Sequence, residues 1–169
     1  MITTSTLEIL DQGIAVLDKL SDRDYDTPFE LVYGGTIGGH YRHVLEHFTT
    51  LINSFESGVV NYDLRVRNKE IETQRVTAID ATLSLRKKFQ ELPKEVYSTP
   101  MQLQGKISST QPDIADIPTT AGREVAYAIA HAHHHFAIIG IMCKLVDSPT
   151  DSQFGVAPST LEHKKSQAV

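Results

Sequence analysis

The stretch EVAYAIAHAHHHFAIIGIMCKLV, residues 124–146, is a long apolar run interrupted by histidines. Apolar side chains occupy almost every face of it at helical spacing, which predicts a buried helix that begins near Thr119 or Thr120 and continues to about Val146. Four histidines interrupt its middle, and a buried imidazole needs a hydrogen-bond partner. The stretch therefore predicts a core helix that carries a polar site.

Three more segments have helical periodicity, about Ser5–Leu20 (where Ser5 and Glu8 match a capping box), about Thr36–Glu56 and about Asn68–Leu92. The segment Val96–Pro118 lacks this pattern, and residues 101–107 within it could form a short strand and turn. The sequence predicts an all-α four-helix bundle with long crossover connections and a short irregular or strand-like insert before the last helix. We expect the bundle to cover residues 1–148 and a polar C-terminal tail to cover 149–169.

Composition excludes several classes of function. The 169 residues have a formal net charge of -5, and the lysines and arginines are scattered, so nothing favours nucleic acid as a partner. No apolar run reaches membrane-spanning length, and the first residues lack the pattern of a signal peptide. One cysteine, Cys143, fits a reducing compartment. We therefore expect a cytoplasmic protein that binds neither nucleic acid nor a membrane.

The histidine spacing predicts a divalent metal site. His131 and His135 are four residues apart, so their rings project from one face of the helix on successive turns. The second helix carries His40, His43 and His47, any of which could supply a third ligand, and the position of the apolar stripe slightly favours His47. Three imidazoles would leave open coordination positions. The alternative is that the histidines hydrogen-bond to one another without a metal.

Two of these segments are similar to motifs of a known family. TIGGHYRHVLEH (36–47) and AHAHHHFA (130–137) resemble the second-helix and fourth-helix motifs of the DinB-like superfamily, and segments 119–126 and 154–161 are also similar to it. The resemblance implies the ligands His43, His131 and His135 and a divalent metal ion, zinc or nickel first, with iron or manganese as alternatives. It also implies a homodimer. The chain departs from many members in having no tryptophan before the second helix.

The resemblance implies a function as well. Relatives include bacillithiol S-transferases and mycothiol-dependent maleylpyruvate isomerases, which predicts a metal-dependent enzyme of thiol transferase or hydrolase type. Its partner would be a small-molecule substrate or a low-molecular-weight thiol. Glu46, His47 and His134 are the candidate catalytic residues, for orienting the ligands or transferring protons. The alternative is a non-catalytic metal-binding or stress-related helical bundle protein.

Overall fold

The computed structural model describes residues 1–167. Its seven α-helices within that range are α1 (Ile2–Leu17), α2 (Asp22–Tyr25), α3 (Ile37–Asn53), α4 (Lys69–Thr73), α5 (Arg75–Glu91), α6 (Ala121–Leu145) and α7 (Pro158–Gln167). Its three strands are β1 (Val59–Val60), β2 (Pro100–Gly105) and β3 (Ala115–Thr120). Short 3-10 turns occupy residues 30–32, 62–64 and 94–98.

The strands form a mixed sheet in the order β1-β2-β3. Strand β2 pairs antiparallel with β3 along its whole length, and β1 pairs parallel with β2. The prediction of an all-α four-helix bundle is therefore wrong. The sequence Met101-Gln102-Leu103-Gln104 alternates with the period of two that strands require. Its partner contains Pro118, which lacks an N–H donor but is tolerated because β3 lies at the edge of the sheet.

Two predicted helices have different bounds. Helix α1 begins at Ile2, so Ser5 is inside it and its hydroxyl donates to the Met1 carbonyl at 3.3 Å instead of capping a helix. The third predicted helix breaks at Gln74, whose extended backbone (φ -121°, ψ 103°) separates α4 from α5. The side chain of Asn68 accepts from two backbone N–H groups at the start of α4. That local cap favours a separate short helix.

The core lies where α3, α5 and α6 pack with α1. The apolar stripe of α3 is buried, and Tyr41 stacks on Phe136 of α6 with ring centroids 6.0 Å apart. Only one side of α6 is buried, since Ile141 is 61% and Leu145 51% exposed. Helices α3 and α6 pack directly against each other, and each carries histidines of the predicted metal site.

The C-terminal segment also contacts this core. Phe154 is buried and stacks on Phe136, with ring centroids 4.8 Å apart. The division of the chain at residue 148 stays a prediction, and residues 168 and 169 of the predicted tail lie outside the described range. Among the described helices, none combines the length and apolarity needed to cross a membrane.

Candidate metal centre

Helix caps fix the starts of the two histidine-bearing helices. Thr36 precedes α3, and its hydroxyl accepts from the Gly39 N–H at 2.8 Å. Thr120 precedes α6 and accepts from the Arg123 N–H at 3.2 Å. A capping hydroxyl satisfies an N–H group that the first helical turn leaves unpaired. These caps stabilise the first turn of each helix and mark where it begins.

Three histidines come together between α3 and α6. One ring nitrogen each from His43, His131 and His135 lies within 4.8 Å of the others. The Nε2 atoms of His43 and His131 are 3.0 Å apart. The ring centroid of His135 is 4.6 Å from that of His43 and 4.6 Å from that of His131.

This arrangement fits a divalent metal ion. Imidazole nitrogens bind such ions at about 2.1 Å, so two nitrogens 3.0 Å apart would subtend about 90° at a shared ion. That angle suits cis ligands in an octahedron, and a small outward movement of the rings gives a tetrahedral angle. The three residues are only half-buried, which leaves room for exchangeable ligands. Their assignment as ligands stays a prediction.

The rings are held in the neutral form that a metal ligand requires. Burial, with smaller contributions from neighbouring histidines and the Arg65 guanidinium, lowers the pKa of His43 to about 3 and that of His131 to about 4. Burial and the neighbouring histidines lower the pKa of His135 to about 3. Metal binding needs an unprotonated nitrogen, and at neutral pH each of these rings has one.

The other histidines of α3 lie beside the cluster. His40 Nδ1 lies 3.0 Å from His135 Nδ1. His47 is buried, its Nδ1 is 2.9 Å from the His43 carbonyl oxygen, and its ring stacks on Tyr62 with centroids 5.0 Å apart. Both rings are therefore placed to orient the three clustered histidines, and neither joins the group of three nitrogens.

Glu46 has a strongly paired carboxylate. It is 5% exposed, and it accepts from Arg42 Nη1 at 2.6 Å and from the Asn68 N–H at 3.1 Å. Arg65 Nε lies 3.5 Å from its other oxygen. These partners stabilise a carboxylate that joins α3 to the segment before α4. The catalytic role predicted for Glu46 is untested, and its contacts favour a structural one.

His134, the remaining predicted catalytic residue, lies on the exposed side of α6. Its ring is 5.2 Å from that of His135, centroid to centroid, with the planes at 78°. It flanks the cluster at the solvent side. Catalytic roles for His134 and His47 stay predictions.

Sequence reasoning missed two tyrosines that border the cluster. Tyr127 stacks on His131 with centroids 5.7 Å apart, and Tyr62 donates its hydroxyl to the buried carboxylate of Glu124 at 2.9 Å. Tyr127 is four residues before His131, a helical spacing that could have placed it beside the cluster. Tyr62 lies in a 3-10 turn after β1, where no periodic signal indicates its position.

A cleft opens beside the cluster. It has a volume of about 440 Å³ and is formed by the turn at residues 32–36 and the first turns of α3. His43 and His135 line it together with His40 and Arg42. The Arg42 guanidinium is already paired, because its Nε lies 2.9 Å from a carboxylate oxygen of Glu72 as well. A small molecule in this cleft would have access to two of the three clustered histidines, His43 and His135.

Comparison with known proteins gives one similarity in sequence. The chain is similar to "FK506-binding protein 5" of Rhizopus delemar, with 36% identity over 109 residues that make up 64% of this chain. It spans 28% of the length of that relative. No family model matches the chain, and no solved structure matches it.

These findings overturn the resemblance stated above. The assignment to the DinB-like superfamily is wrong, because no family model supports it and the relative has a different name. The same finding overturns the two functions that the resemblance implied. One was a metal-dependent thiol transferase or hydrolase, and the other was a non-catalytic metal-binding or stress-related helical bundle protein. The geometry of the three histidines does not depend on that resemblance. What comparison shows is similarity between part of this chain and one segment of a longer protein.

Proposed function

We propose that His43, His131 and His135 bind a divalent transition-metal ion that in turn binds a small anionic ligand in the adjoining cleft. The single observation that supports this proposal is the close approach of three ring nitrogens, all within 4.8 Å of one another. Zinc and nickel are the first choices, because both accept imidazole ligands readily, and iron or manganese are alternatives.

The charges around the cluster favour an anion as the exchangeable ligand. Three neutral imidazoles leave the full charge of a divalent ion uncompensated. Arg65 adds positive potential, since its charge contributes to lowering the pKa of both His43 and His131. The buried carboxylate of Glu46 is paired with Arg42 and Arg65, whose positive charges offset its own.

Metal content and anion binding test the two parts of this proposal. Protein prepared without an affinity tag should hold about one divalent ion per chain, and His131→Ala combined with His135→Ala should remove it. His163→Ala is the matched control, because His163 lies exposed on α7. After substitution with Co²⁺, azide should change the visible absorption spectrum. Full metal occupancy in the double variant would refute metal binding by these histidines. A spectrum that azide does not change would refute anion binding by the metal ion.

A second candidate function is FK506 binding. The observation that favours it is the 36% identity over 109 residues with a relative named for this ligand. The match covers 28% of that relative, so the name applies to a protein mostly outside the match. Calorimetric titration of the chain with FK506 decides the question: saturable binding at one site supports it, and no heat of binding at soluble concentrations of the ligand excludes it.

Further expectations concern location and assembly. We propose a cytoplasmic location, because the chain has one cysteine, Cys143, and so has no intramolecular disulfide of the kind that oxidising compartments favour. A homodimer, and the expected absence of nucleic-acid and membrane partners, stay predictions. Analytical ultracentrifugation of the metal-loaded protein tests directly whether it is a homodimer.

A further inference from the structure

His131 has two aromatic neighbours besides the other proposed metal ligands. The ring of His47 lies 4.2 Å from that of His131, centroid to centroid, and the ring of Tyr127 lies 5.7 Å from it with the planes at 25°. Tyr62 adjoins both of these neighbours. Its ring centroid is 5.0 Å from that of His47 and 5.6 Å from that of Tyr127. Tyr62, which belongs to neither histidine-bearing helix, therefore supports both rings beside His131.

Hydrogen bonds hold Tyr62 at its hydroxyl and at its backbone. The hydroxyl donates to the carboxylate of Glu124 at 2.9 Å, and the carbonyl oxygen accepts from Arg65 Nη1 at 2.6 Å. Arg65 Nε in turn lies 3.5 Å from a carboxylate oxygen of Glu46. Glu124 belongs to α6 and Glu46 to α3. Each of the two histidine-bearing helices therefore provides a carboxylate that helps to hold this tyrosine between them.

The Glu124 carboxylate is a firm anchor because it is fully buried and has other donors as well. One oxygen accepts from the Thr119 hydroxyl at 2.8 Å and from Arg123 Nη1 at 3.1 Å, and the other accepts from Tyr62. Burial and the charge of this carboxylate raise the pKa of Tyr62, so its hydroxyl keeps the proton that it donates. A buried acceptor without a donor is costly in free energy, which favours keeping Tyr62 in this place.

We propose that Tyr62 is a positioning residue for His131, a role that rests on the proposed binding of a metal ion by His131. The Tyr62 ring limits the movement of His47 and Tyr127, and these two rings limit the rotation of the His131 imidazole. An imidazole that is already oriented loses less conformational freedom when it binds an ion. Tyr62 acts through its two aromatic neighbours and not on the ion itself.

The zinc affinity of Tyr62 variants, measured by competition with a chelator, tests this role. Tyr62→Leu removes the ring and should raise the dissociation constant about tenfold, the lower end of the range for residues that orient a metal ligand. Tyr62→Phe keeps the ring and loses only the hydroxyl, so it should raise the constant by less. Tyr97→Phe is the matched control, because the Tyr97 hydroxyl also lies 2.9 Å from its partner, the Thr3 hydroxyl of α1. This control should leave the constant unchanged.

NMR of the imidazole nitrogens in the metal-free protein gives a second readout, which a general loss of stability would not change. In Tyr62→Leu the ring signals of His47 and His131 should broaden or shift, because both rings gain freedom to move. The signals of His163, which is exposed on α7, should stay the same. Tyr97→Phe should leave the signals of all three histidines as they are in the parent.

The outcomes separate the positioning role from the metal centre. If the parent binds one zinc ion and Tyr62→Leu binds it with the same affinity, the positioning role is refuted and the metal centre stands. Equal dissociation constants in Tyr62→Phe and Tyr97→Phe would also refute that role, and this comparison holds even if Tyr62→Leu does not fold. A parent that binds no ion would refute the proposed metal centre, and the positioning role with it.

Discussion

The Nδ1 atoms of His40 and His135 lie 3.0 Å apart, although one belongs to α3 and the other to α6. Only one of the two nitrogens can be the donor in this contact. If His135 binds the metal ion through Nε2, its Nδ1–H donates to His40. A hydrogen bond of this kind fixes the tautomer and the orientation of a metal-binding imidazole. In that arrangement His40 orients the His135 ring, and we predict that it is a positioning residue for the proposed ion.

Replacement of His40 should weaken metal binding without abolishing it. Loss of a partner that orients a ligand typically costs about 10–100-fold in metal affinity, so His40→Ala should raise the dissociation constant by that factor and keep one ion per chain at saturation. His163→Ala, at an exposed position of α7, is the control and should leave the constant unchanged. If His40→Ala removes the ion as completely as His135→Ala does, His40 is itself a ligand.

Replacement of Glu46 should reduce stability rather than metal content. Its carboxylate is nearly buried between Arg42 and Arg65, and breaking a buried ion pair is strongly destabilising. Arg42 keeps its contact with Glu72, so we expect Glu46→Ala to lower the free energy of unfolding by about 2–3 kcal/mol in urea denaturation. Exposed Glu95→Ala should stay within about 0.5 kcal/mol of the parent. Normal stability with loss of the ion would instead place Glu46 in the metal chemistry.

A methyl group at Gly38 should disrupt the packing of α3 on α4. A Cβ there would overlap the carbonyl oxygen of Glu72 and lie 2.7 Å from the ring of Tyr25. Backbone cannot move aside as a flexible side chain can, so Gly38→Ala should lower the free energy of unfolding by about 2–3 kcal/mol.

The adjacent residue offers a control for that substitution. At Gly39 a Cβ would approach only the Thr36 hydroxyl, at 3.3 Å. Thermal or urea unfolding of Gly39→Ala should therefore differ little from that of the parent. Equal stability of Gly38→Ala and Gly39→Ala would contradict the close contact between α3 and α4.

The metal-free protein should lose stability on acidification. An imidazole in the unfolded chain titrates near about pH 6.5, whereas burial lowers the pKa of His43 and His135 to about 3 and that of His131 to about 4. At a pH between the folded and the unfolded pKa values of these histidines, the unfolded chain binds more protons than the folded chain. The free energy of unfolding therefore falls as the pH decreases from about 6.5.

Thermal unfolding after chelation measures this dependence. The melting temperature should fall between about pH 6.5 and pH 4, and it should fall less in a variant with glutamine at His43, His131 and His135. Metal-loaded protein should release its ion over the acidic part of the same range, because protons compete with the ion for the ring nitrogens. A melting temperature independent of pH, or one that rises on acidification, would contradict the burial of neutral rings.

The sequence predicted the pairing of His131 with His135, because helical spacing alone places two rings on one face. It left the third position open among His40, His43 and His47. The choice depends on how α3 is rotated against α6, and contacts such as that of Tyr41 with Phe136 set this rotation. The family resemblance had suggested His43. The structure brings the same residue into the group of three through helix packing alone, without support from that family.

Neither the sheet nor the contacts of the Glu46 carboxylate could be predicted from the sequence, and the reason is a different one. The pairing of β2 with β3 joins segments separated by an irregular connection, and Pro118 argues locally against a strand. Arg65 and Asn68, which hold Glu46, belong to a segment without periodicity. Such contacts depend on the path of the whole chain. Local spacing carries information about helix faces and very little about connections.

The most direct test of the metal centre is a crystal structure of the tag-free, metal-loaded protein with anomalous data collected at the absorption edge of the bound metal. If the three histidines bind one ion, a single anomalous peak lies about 2.1 Å from a ring nitrogen of His43, of His131 and of His135. A peak on other residues would contradict it. A structure without a peak, in which the Nε2 atoms of His43 and His131 are still in direct contact at 3.0 Å, would also contradict it.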